Sequence, residues 1–276
     1  MVGSAQDNCV GWRRLRTVGR AAVGIAVLAV GFSLGQQLRH APPVAAQVAT
    51  AAGPNEINPF VAKRREVYYP LQGEPKISVR TMLRRSDGSV VDHFEATSPK
   101  GETGDVTVGS DLRRGVAFWT EPFTQSVTTF YLSDAEINQR RSDQDRCAET
   151  DIRTALSAAS RNGVPRSAIL GFDTVRVERP GPHLSSVEWV SPTLGCLALR
   201  ETQTFADGSH NEFEITEISV AEPPDAEFIP PPGLTERSPA EVEAAYAADY
   251  ATPFYGARMV SVMEKRYRDH LANRRD

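Results

Sequence analysis

Histidine, serine and acidic side chains are the first candidates for chemistry, because together they form the nucleophile and base pairs of hydrolases. The chain has five histidines. His93 lies in a run that alternates like a β-strand, so its neighbour Asp92 is predicted on the opposite face of a sheet. His210 lies in the turn "ADGSHN". Neither the metalloprotease pattern H-E-x-x-H nor the phosphate-binding pattern G-x-x-x-x-G-K-[ST] occurs. We therefore predict no catalytic residue, no metal site and no cofactor, while a hydrolase assembled from distant residues stays an alternative.

The first 40 residues have the features of an export signal or a membrane anchor. Residues 12–20, "WRRLRTVGR", are basic, and residues 21–35 carry no charge. The small residues of "APPVAAQ" follow, as they do around a cleavage site. If the segment is cleaved it is a signal peptide, and if it is retained, residues 21–35 anchor the chain in the inner membrane with the amino terminus in the cytoplasm. A buried core helix fits the adjacent arginines poorly. In both favoured cases we expect the body in the bacterial cell envelope, in the periplasm or outside.

The remainder of the chain is acidic. Residues 1–46 contain five arginines and one aspartate, which leaves 26 basic residues against 34 acidic ones in the rest of the chain. Binding to nucleic acid requires a positive surface that releases counterions from phosphates. We therefore predict no nucleic-acid partner.

The cysteines that follow the apolar run are Cys147 and Cys196, whereas Cys9 precedes it. In an oxidising compartment two thiols of one domain tend to pair. Closing a loop of roughly 50 residues stabilises a fold by about 4 kcal/mol in the chain-entropy model. The alternatives are two buried free thiols, or a reactive Cys196 thiol beside Gly195. Two cysteines without a histidine at ligand spacing do not make a zinc site.

Eight or nine segments between residues 77 and 220 have the alternation or composition of β-strands. They are "ISVRTMLRR", "VVDHFEA", "GDVTVG", "GVAFWTEP", "FTQSVTTFYLS", "AILGFDTVRVERP", "LSSVEWVSP", "CLALRETQTF" and "NEFEITEISV". The Asp-Gly turns in "SDGS" and "ADGSH" predict hairpins, because glycine accepts the positive φ of a tight turn. A bulge near Thr216 or Glu217 would reconcile the apolar positions of the last strand.

Two regions have helical patterns. Ser133 and Glu136 form a capping box at the start of residues 133–163, where we predict one or two helices, and Ser238 and Glu241 form another. A last helix is predicted at about 256–273. The chain is thus predicted as α+β, with a basic segment plus signal peptide or anchor at 1–40, a linker at 41–65, a sheet domain at 66–236 and carboxy-terminal helices at 237–276.

The second half of the sheet region resembles outer-membrane lipoprotein carrier-like proteins, and most of all uncharacterised bacterial secreted members. The resemblance rests on a gly-aromatic strand, then "W-x-x-P-x-L-G-C", then "P-x-x-x-F-x-I-P-x-G-(Y/L)-x-E". The matching residues are Gly171, Trp189, Pro192, Leu194, Gly195, Cys196, Phe228, Pro230, Gly233 and Glu236. It covers about residues 67–239 and is weaker before Ala168. The resemblance implies a strongly curved antiparallel sheet, an open half barrel covered by helices, whose concave face holds acyl chains or other lipids.

Three aromatic side chains are candidates for lining such a groove. They are Trp189, Phe118 and Trp119, and the alternative is that they fill the core. Because Phe118 and Trp119 are adjacent in a strand, they must face opposite sides of the sheet.

Three functions follow from these observations. The first is an exported, membrane-tethered, non-enzymatic protein that binds a lipid, an acyl chain or another apolar ligand in a curved-sheet groove. The second is an envelope protein-interaction or stress-sensing module of the same fold, filled by its own side chains and without a small ligand. The third is a hydrolase with an unrecognised site.

Overall fold

The computed structural model describes residues 57–162, 167–250 and 257–273, so the predicted anchor at residues 21–35 lies outside the described residues. The described part is a mixed α+β fold, with a sheet of twelve strands and four α-helices. The strands are β1 (Phe60–Tyr69), β2 (Lys76–Arg84), β3 (Val90–Thr97), β4 (Thr103–Asp111), β5 (Val116–Glu121), β6 (Ser126–Tyr131), β7 (Ser167–Ile169), β8 (Phe172–Arg179), β9 (Leu184–Ser191), β10 (Leu197–Phe205), β11 (His210–Ser219) and β12 (Thr235–Glu236). The helices are α1 (Asp134–Gln144), α2 (Thr150–Asn162), α3 (Pro239–Tyr250) and α4 (Ala257–Asn273).

The sheet consists of two antiparallel meanders joined at β1. The strand order is β12, β6, β5, β4, β3, β2, β1, β11, β10, β9, β8, β7. β1 bonds to β2 on one side and to β11 on the other. All neighbours pair antiparallel except β12, which pairs in parallel with β6. A largely antiparallel sheet with helices packed on it is therefore confirmed.

Several local predictions are confirmed. Ser133 and Glu136 form the expected capping box at the start of α1. At α3, the backbone N–H of Ser238 donates to Glu241 and that of Glu241 donates to the Ser238 hydroxyl. The bulge also lies where it was expected, because Lys63 pairs with Glu217 and Arg64 with Ile215, which leaves Thr216 as the extra residue.

The number of strands was underestimated. β1 begins at Phe60, so residues 60–65 are strand rather than linker. "AILGFDTVRVERP" is a hairpin rather than one strand, since Leu170 and Gly171 have φ of 52° and 82° and turn the chain between β7 and β8. β12 has only two residues and no alternation to read.

The sheet has two differently covered faces. The helix-side face contacts α1 and α2: Ala117 packs in a cluster with Ile137 of α1, and Val190 packs in a cluster with Ile152 of α2. The strap-side face carries a cluster that includes Leu83 and Phe118. Alternation along each strand assigns every side chain of the sheet to one of these faces.

Residues 221–238, here called the strap, cross the strap-side face. A single 3-10 helix, Asp225–Phe228, places Phe228 in the cluster of Leu83 and Phe118, where it is fully buried. The buried Arg85 guanidinium lies 4.3 Å from the Phe228 ring centroid and donates to Asp225 at 2.8 Å and to Asp111 at 2.7 Å. The motif that carries the family resemblance in this region is therefore a structural anchor.

Cys147 and Cys196 form the predicted disulfide, with their Cα atoms 5.1 Å apart. The bond joins the short 3-10 helix Arg146–Ala148 to the turn before β10. Gly195 has φ of 65°, and a Cβ there would lie 3.2 Å from the carbonyl oxygen of Gln144. The structural interpretation of Gly195 and Cys196 is thus confirmed over the reactive thiol.

We expect Phe228→Ala to destabilise the protein by about 3–5 kcal/mol, because it opens a cavity in the cluster under the strap. The neighbouring Ile229→Ala is the matched control, since Ile229 is exposed and its truncation should change stability by less than about 0.5 kcal/mol. Urea unfolding of the full chain in nonionic detergent measures both. Equal effects of the two substitutions would contradict the anchoring role of Phe228.

Removing the disulfide with Cys147→Ala and Cys196→Ala should cost about 2–5 kcal/mol, because the unfolded chain regains the freedom of a closed loop. Cys9→Ala should have no effect, because Cys9 lies outside the bonded pair. Unfolding curves of the Cys147→Ala/Cys196→Ala double variant, of Cys9→Ala and of the unsubstituted chain, recorded without reductant, give the comparison. A double variant as stable as the unsubstituted chain would show that the bond does not stabilise the fold.

Candidate ligand-binding face

The structure does not bring the three predicted groove residues together. Phe118 lies on the strap-side face and is buried in the Phe228 cluster. Trp189 lies on the same face but in β9, half-buried between Arg200 and Arg176, whose guanidinium carbons are 5.9 and 6.0 Å from its ring centroid. Trp119 lies on the helix-side face, opposite Val108 and Thr128. That Trp189, Phe118 and Trp119 bind a ligand stays a prediction, but they cannot line one groove.

A row of apolar side chains crosses the helix-side face. Six cross-strand partners form it, from β5 through β4, β3, β2 and β1 to β11: Trp119, Val108, Asp92, Met82, Ala62 and Ile218. Trp119, Val108 and Met82 are half-buried, whereas Ala62 is fully buried. The part of the row that is not fully buried therefore runs from β2 to β5, and it is called the open part below.

Asp92 is the one charged residue of this row. Within the described residues its carboxylate makes no hydrogen bond and no close ion pair, although it is half-buried. Burial raises the pKa of the Asp92 carboxyl, while the charges of Arg80 and Arg64 act in the opposite direction. No sequence pattern indicated this position, because an aspartate in an alternating strand normally faces solvent.

Two arginines occupy the next positions along β1 and β2 on the same face. The Nε atoms of Arg64 and Arg80 each lie 3.1 Å from Oε1 of Glu66. The Arg64 guanidinium stacks 4.1 Å from the ring centroid of Phe213, and that of Arg80 lies 4.7 Å from that of Phe94. One carboxylate and two rings thus hold both cations in place beside the apolar row.

The β8–β11 half of the helix-side face is filled by the protein itself. Phe213, Glu201 and Gln203 are buried there, and the Gln203 amide donates to Glu201. Glu188 is also buried and accepts from Arg146 at 2.6 Å and from Arg179. The bonds of Glu188 connect the segment before α2 to β8 and β9. The four buried residues Phe213, Glu201, Gln203 and Glu188 therefore present no open apolar surface.

Glu121, at the end of β5, is a second acid of the helix-side face. Its Oε1 accepts from the backbone N–H of Phe123 at 2.9 Å, whereas Oε2 is buried and has no hydrogen-bond partner in the described part of the chain. Burial raises the pKa of Glu121 to about 7. Burial raises the pKa of the Tyr246 hydroxyl in α3, and the nearby charge of Glu121 raises it further.

A separate surface pocket of about 430 Å³ lies at the β7–β8 turn. Its lining residues are Ala168, Ile169, Leu170, Arg200, Glu214, Ile215 and Thr216. The Arg200–Glu214 ion pair at 2.8 Å occupies its wall. None of the predicted groove residues lines this pocket.

His93 is the histidine that comes nearest to a catalytic arrangement. Its Nδ1 lies 3.0 Å from the Thr107 hydroxyl and its Nε2 lies 3.5 Å from Glu227. Thr107 is buried beneath the strap-side face, so its hydroxyl cannot meet a substrate. His210 stacks on Tyr69 at 4.4 Å. Across the three described ranges no three His, Cys, Asp or Glu side chains are grouped as metal ligands, and no helix there is long and apolar enough to cross a membrane.

No protein-family model matches the sequence, and no curated protein matches it. Solved structures with a similar course of the backbone include MucB, at 13% identity and TM-score 0.36 over 64% of this chain. They also include PNGF-II, at 9% identity and TM-score 0.35 over 65% of this chain. A LolA superfamily protein from Nitrosomonas europaea matches at 9% identity and TM-score 0.31 over 65% of this chain. The alignments cover 59%, 31% and 92% of those chains, respectively. These similarities concern the course of the backbone alone.

The raised pKa of Glu121 predicts a pH dependence of stability. The unfolded chain releases this proton near pH 4.5 and the folded chain near pH 7, so the folded state is favoured below this window and loses stability as the pH rises through it. The free energy of unfolding should fall by an amount on the order of 2 kcal/mol between pH 4.5 and 7, and Glu121→Gln should abolish this fall. Urea unfolding at several pH values measures it, with Glu95→Gln, an exposed strand position, as the control. Parallel pH profiles for the Glu121 variant and the unsubstituted chain would contradict this assignment.

Proposed function

We propose that the chain is an exported, membrane-tethered, non-enzymatic protein that binds an amphipathic lipid on the open part of its helix-side face. In this proposal the sheet curves into an open half barrel, and the helix-side face is its concave side. The curvature is supported by Ile169 at the sheet edge, which packs against the cluster of Phe60 and Ile215 although these lie on β1 and β11. A flat sheet would hold β7 four strands away from β11.

The observation that carries the proposal is the half-exposed row of Trp119, Val108 and Met82 with Phe94 beside it. Ligand sites of proteins are concave and mostly apolar, with a few polar groups that fix orientation. The apolar row suits an acyl chain, and the charged cluster beside it suits a polar head group. The filled half of the same face has no such surface.

The envelope location is supported by the disulfide and by the sequence of the leader. Disulfides persist in oxidising compartments such as the periplasm. If residues 21–35 stay in the inner membrane, the segment before β1, residues 36–59, could hold the body at most about 80 Å from it. A binding protein on such a tether could take up lipid at the membrane surface.

The second candidate is an envelope protein-interaction or stress-sensing module without a small ligand. It is favoured by the β8–β11 half of the helix-side face, where Phe213, Glu201 and Gln203 are buried by the protein's own side chains. If the open half also stays empty in the cell, the partner is a protein.

A pair of tryptophan variants tests the proposal. Full-length protein is purified from bacterial membranes in nonionic detergent, and its bound lipid is extracted and quantified by mass spectrometry. Trp119→Leu should reduce the retained lipid about tenfold, because it removes a large apolar contact from the ligand. Trp189→Leu, a tryptophan of the opposite face, should retain as much lipid as the unsubstituted chain.

The other outcomes are equally informative. Loss of lipid in the Trp189 variant alone would move the site to the strap-side face. An unsubstituted chain that carries no lipid above the detergent background would contradict the proposal and favour the interaction module.

A further inference from the structure

Asp92 has no hydrogen-bonded partner within the part of the chain that the structure describes. It lies between Val108 and Met82 in the row, where an apolar side chain would complete the surface. Partial burial of a carboxylate costs free energy unless the charge is paired and hydrogen-bonded. The charges of Arg80 and Arg64 act on Asp92, yet each of these arginines already forms an ion pair with Glu66.

The charged groups that surround Asp92 favour one kind of ligand head. An anionic head would have to compete with the ion-paired Glu66 carboxylate for both guanidinium groups, whereas a cationic amine could bind the Asp92 carboxylate and leave both ion pairs in place. A hydroxyl could donate to the same oxygens, but a hydrogen bond between two charged groups is roughly twice as strong as a neutral one. His93, the adjacent residue, faces the other side of the sheet and is occupied by Thr107 and Glu227.

The geometry of the row also fixes where the apolar part of such a ligand would lie. Asp92 is in β3 and Trp119 in β5, two strand spacings or about 10 Å away. Val108 lies between them. A chain that leaves an amine at Asp92 would therefore pass over Val108 and contact the Trp119 indole.

We propose that Asp92 determines the specificity of the binding face by accepting hydrogen bonds from a primary amine in the head group of an amphipathic ligand. This inference rests on the proposed function and adds the ligand class to it. The amine would also stabilise the charged form of Asp92 and offset the effect of burial on this carboxyl.

Tryptophan quenching tests the inference with the full chain. Trp12→Phe and Trp189→Phe leave Trp119 as the one tryptophan, since the chain has three. The probes carry the same octadecyl chain, brominated at its middle, and differ only in an amine, a hydroxyl or a carboxylate at the end. Bromine quenches an indole that it contacts. In one nonionic detergent, the amine probe should bind about tenfold more tightly than the other two.

Asp92→Asn should weaken binding of the amine probe about tenfold and leave binding of the hydroxyl probe unchanged, since asparagine keeps the shape and loses the charge. Glu95→Gln, on the same strand but exposed on the other face, is the matched control and should keep the preference for the amine. Unfolding curves verify that both variants fold. If Asp92→Asn does not fold, the inference is tested by the unsubstituted chain alone, which should bind the amine probe more tightly than the hydroxyl and carboxylate probes.

The failures of the two proposals can be told apart. Equal affinity for the three probes, or an Asp92→Asn variant that still prefers the amine, overturns the role of Asp92 and leaves the binding face in place. Absence of quenching by every probe overturns the binding face itself.

Discussion

The pairing of β1 with β11 holds the molecule together, because it joins two meanders that would otherwise be separate small sheets. β1 is the first strand of the body, yet it lies in the middle of the strand order and bonds to neighbours on both sides. Its Arg64 and Glu66 also form the charged cluster of the helix-side face. β1 thus also marks the boundary between two kinds of surface on the helix-side face. The surface over β8–β11 is filled and polar, whereas the row over β2–β5 is open and apolar.

Local patterns predicted what depends on neighbours in sequence. Alternation located nine segments of the sheet, the capping boxes located α1 and α3, and the spacing of apolar residues located the bulge at Thr216. The start of β1 was not predicted as a strand because β1 contains four consecutive charged residues, Lys63, Arg64, Arg65 and Glu66. These charged side chains have partners on β2 and β11, such as Glu217 for Lys63. No pattern within β1 itself indicates these partners.

The candidate site was harder to predict, because it depends on register between strands. Parity alone places Phe118 and Trp119 on opposite faces. Only the pairing of the four strands β2 to β5 shows that Trp119 shares a row with Met82, and Trp189 in β9 lies outside that row. The unusual environments of Asp92 and Glu121 arise in the same way. Each is an ordinary acid in a strand sequence, and it becomes unusual because of what is packed around it.

The two ends of the sheet have a consequence for the solubility of the protein. β12 has two residues and β7 has three, so each edge of a twelve-stranded sheet offers few free N–H and C=O groups to another chain. β12 belongs to the strap, and the hydrogen bonds of Thr235 and Arg237 to β6 and the turn before it cover this edge. The burial of Phe228 therefore also holds β12 against Ser126 and Val127, so that this end of β6 cannot pair with a strand of another chain.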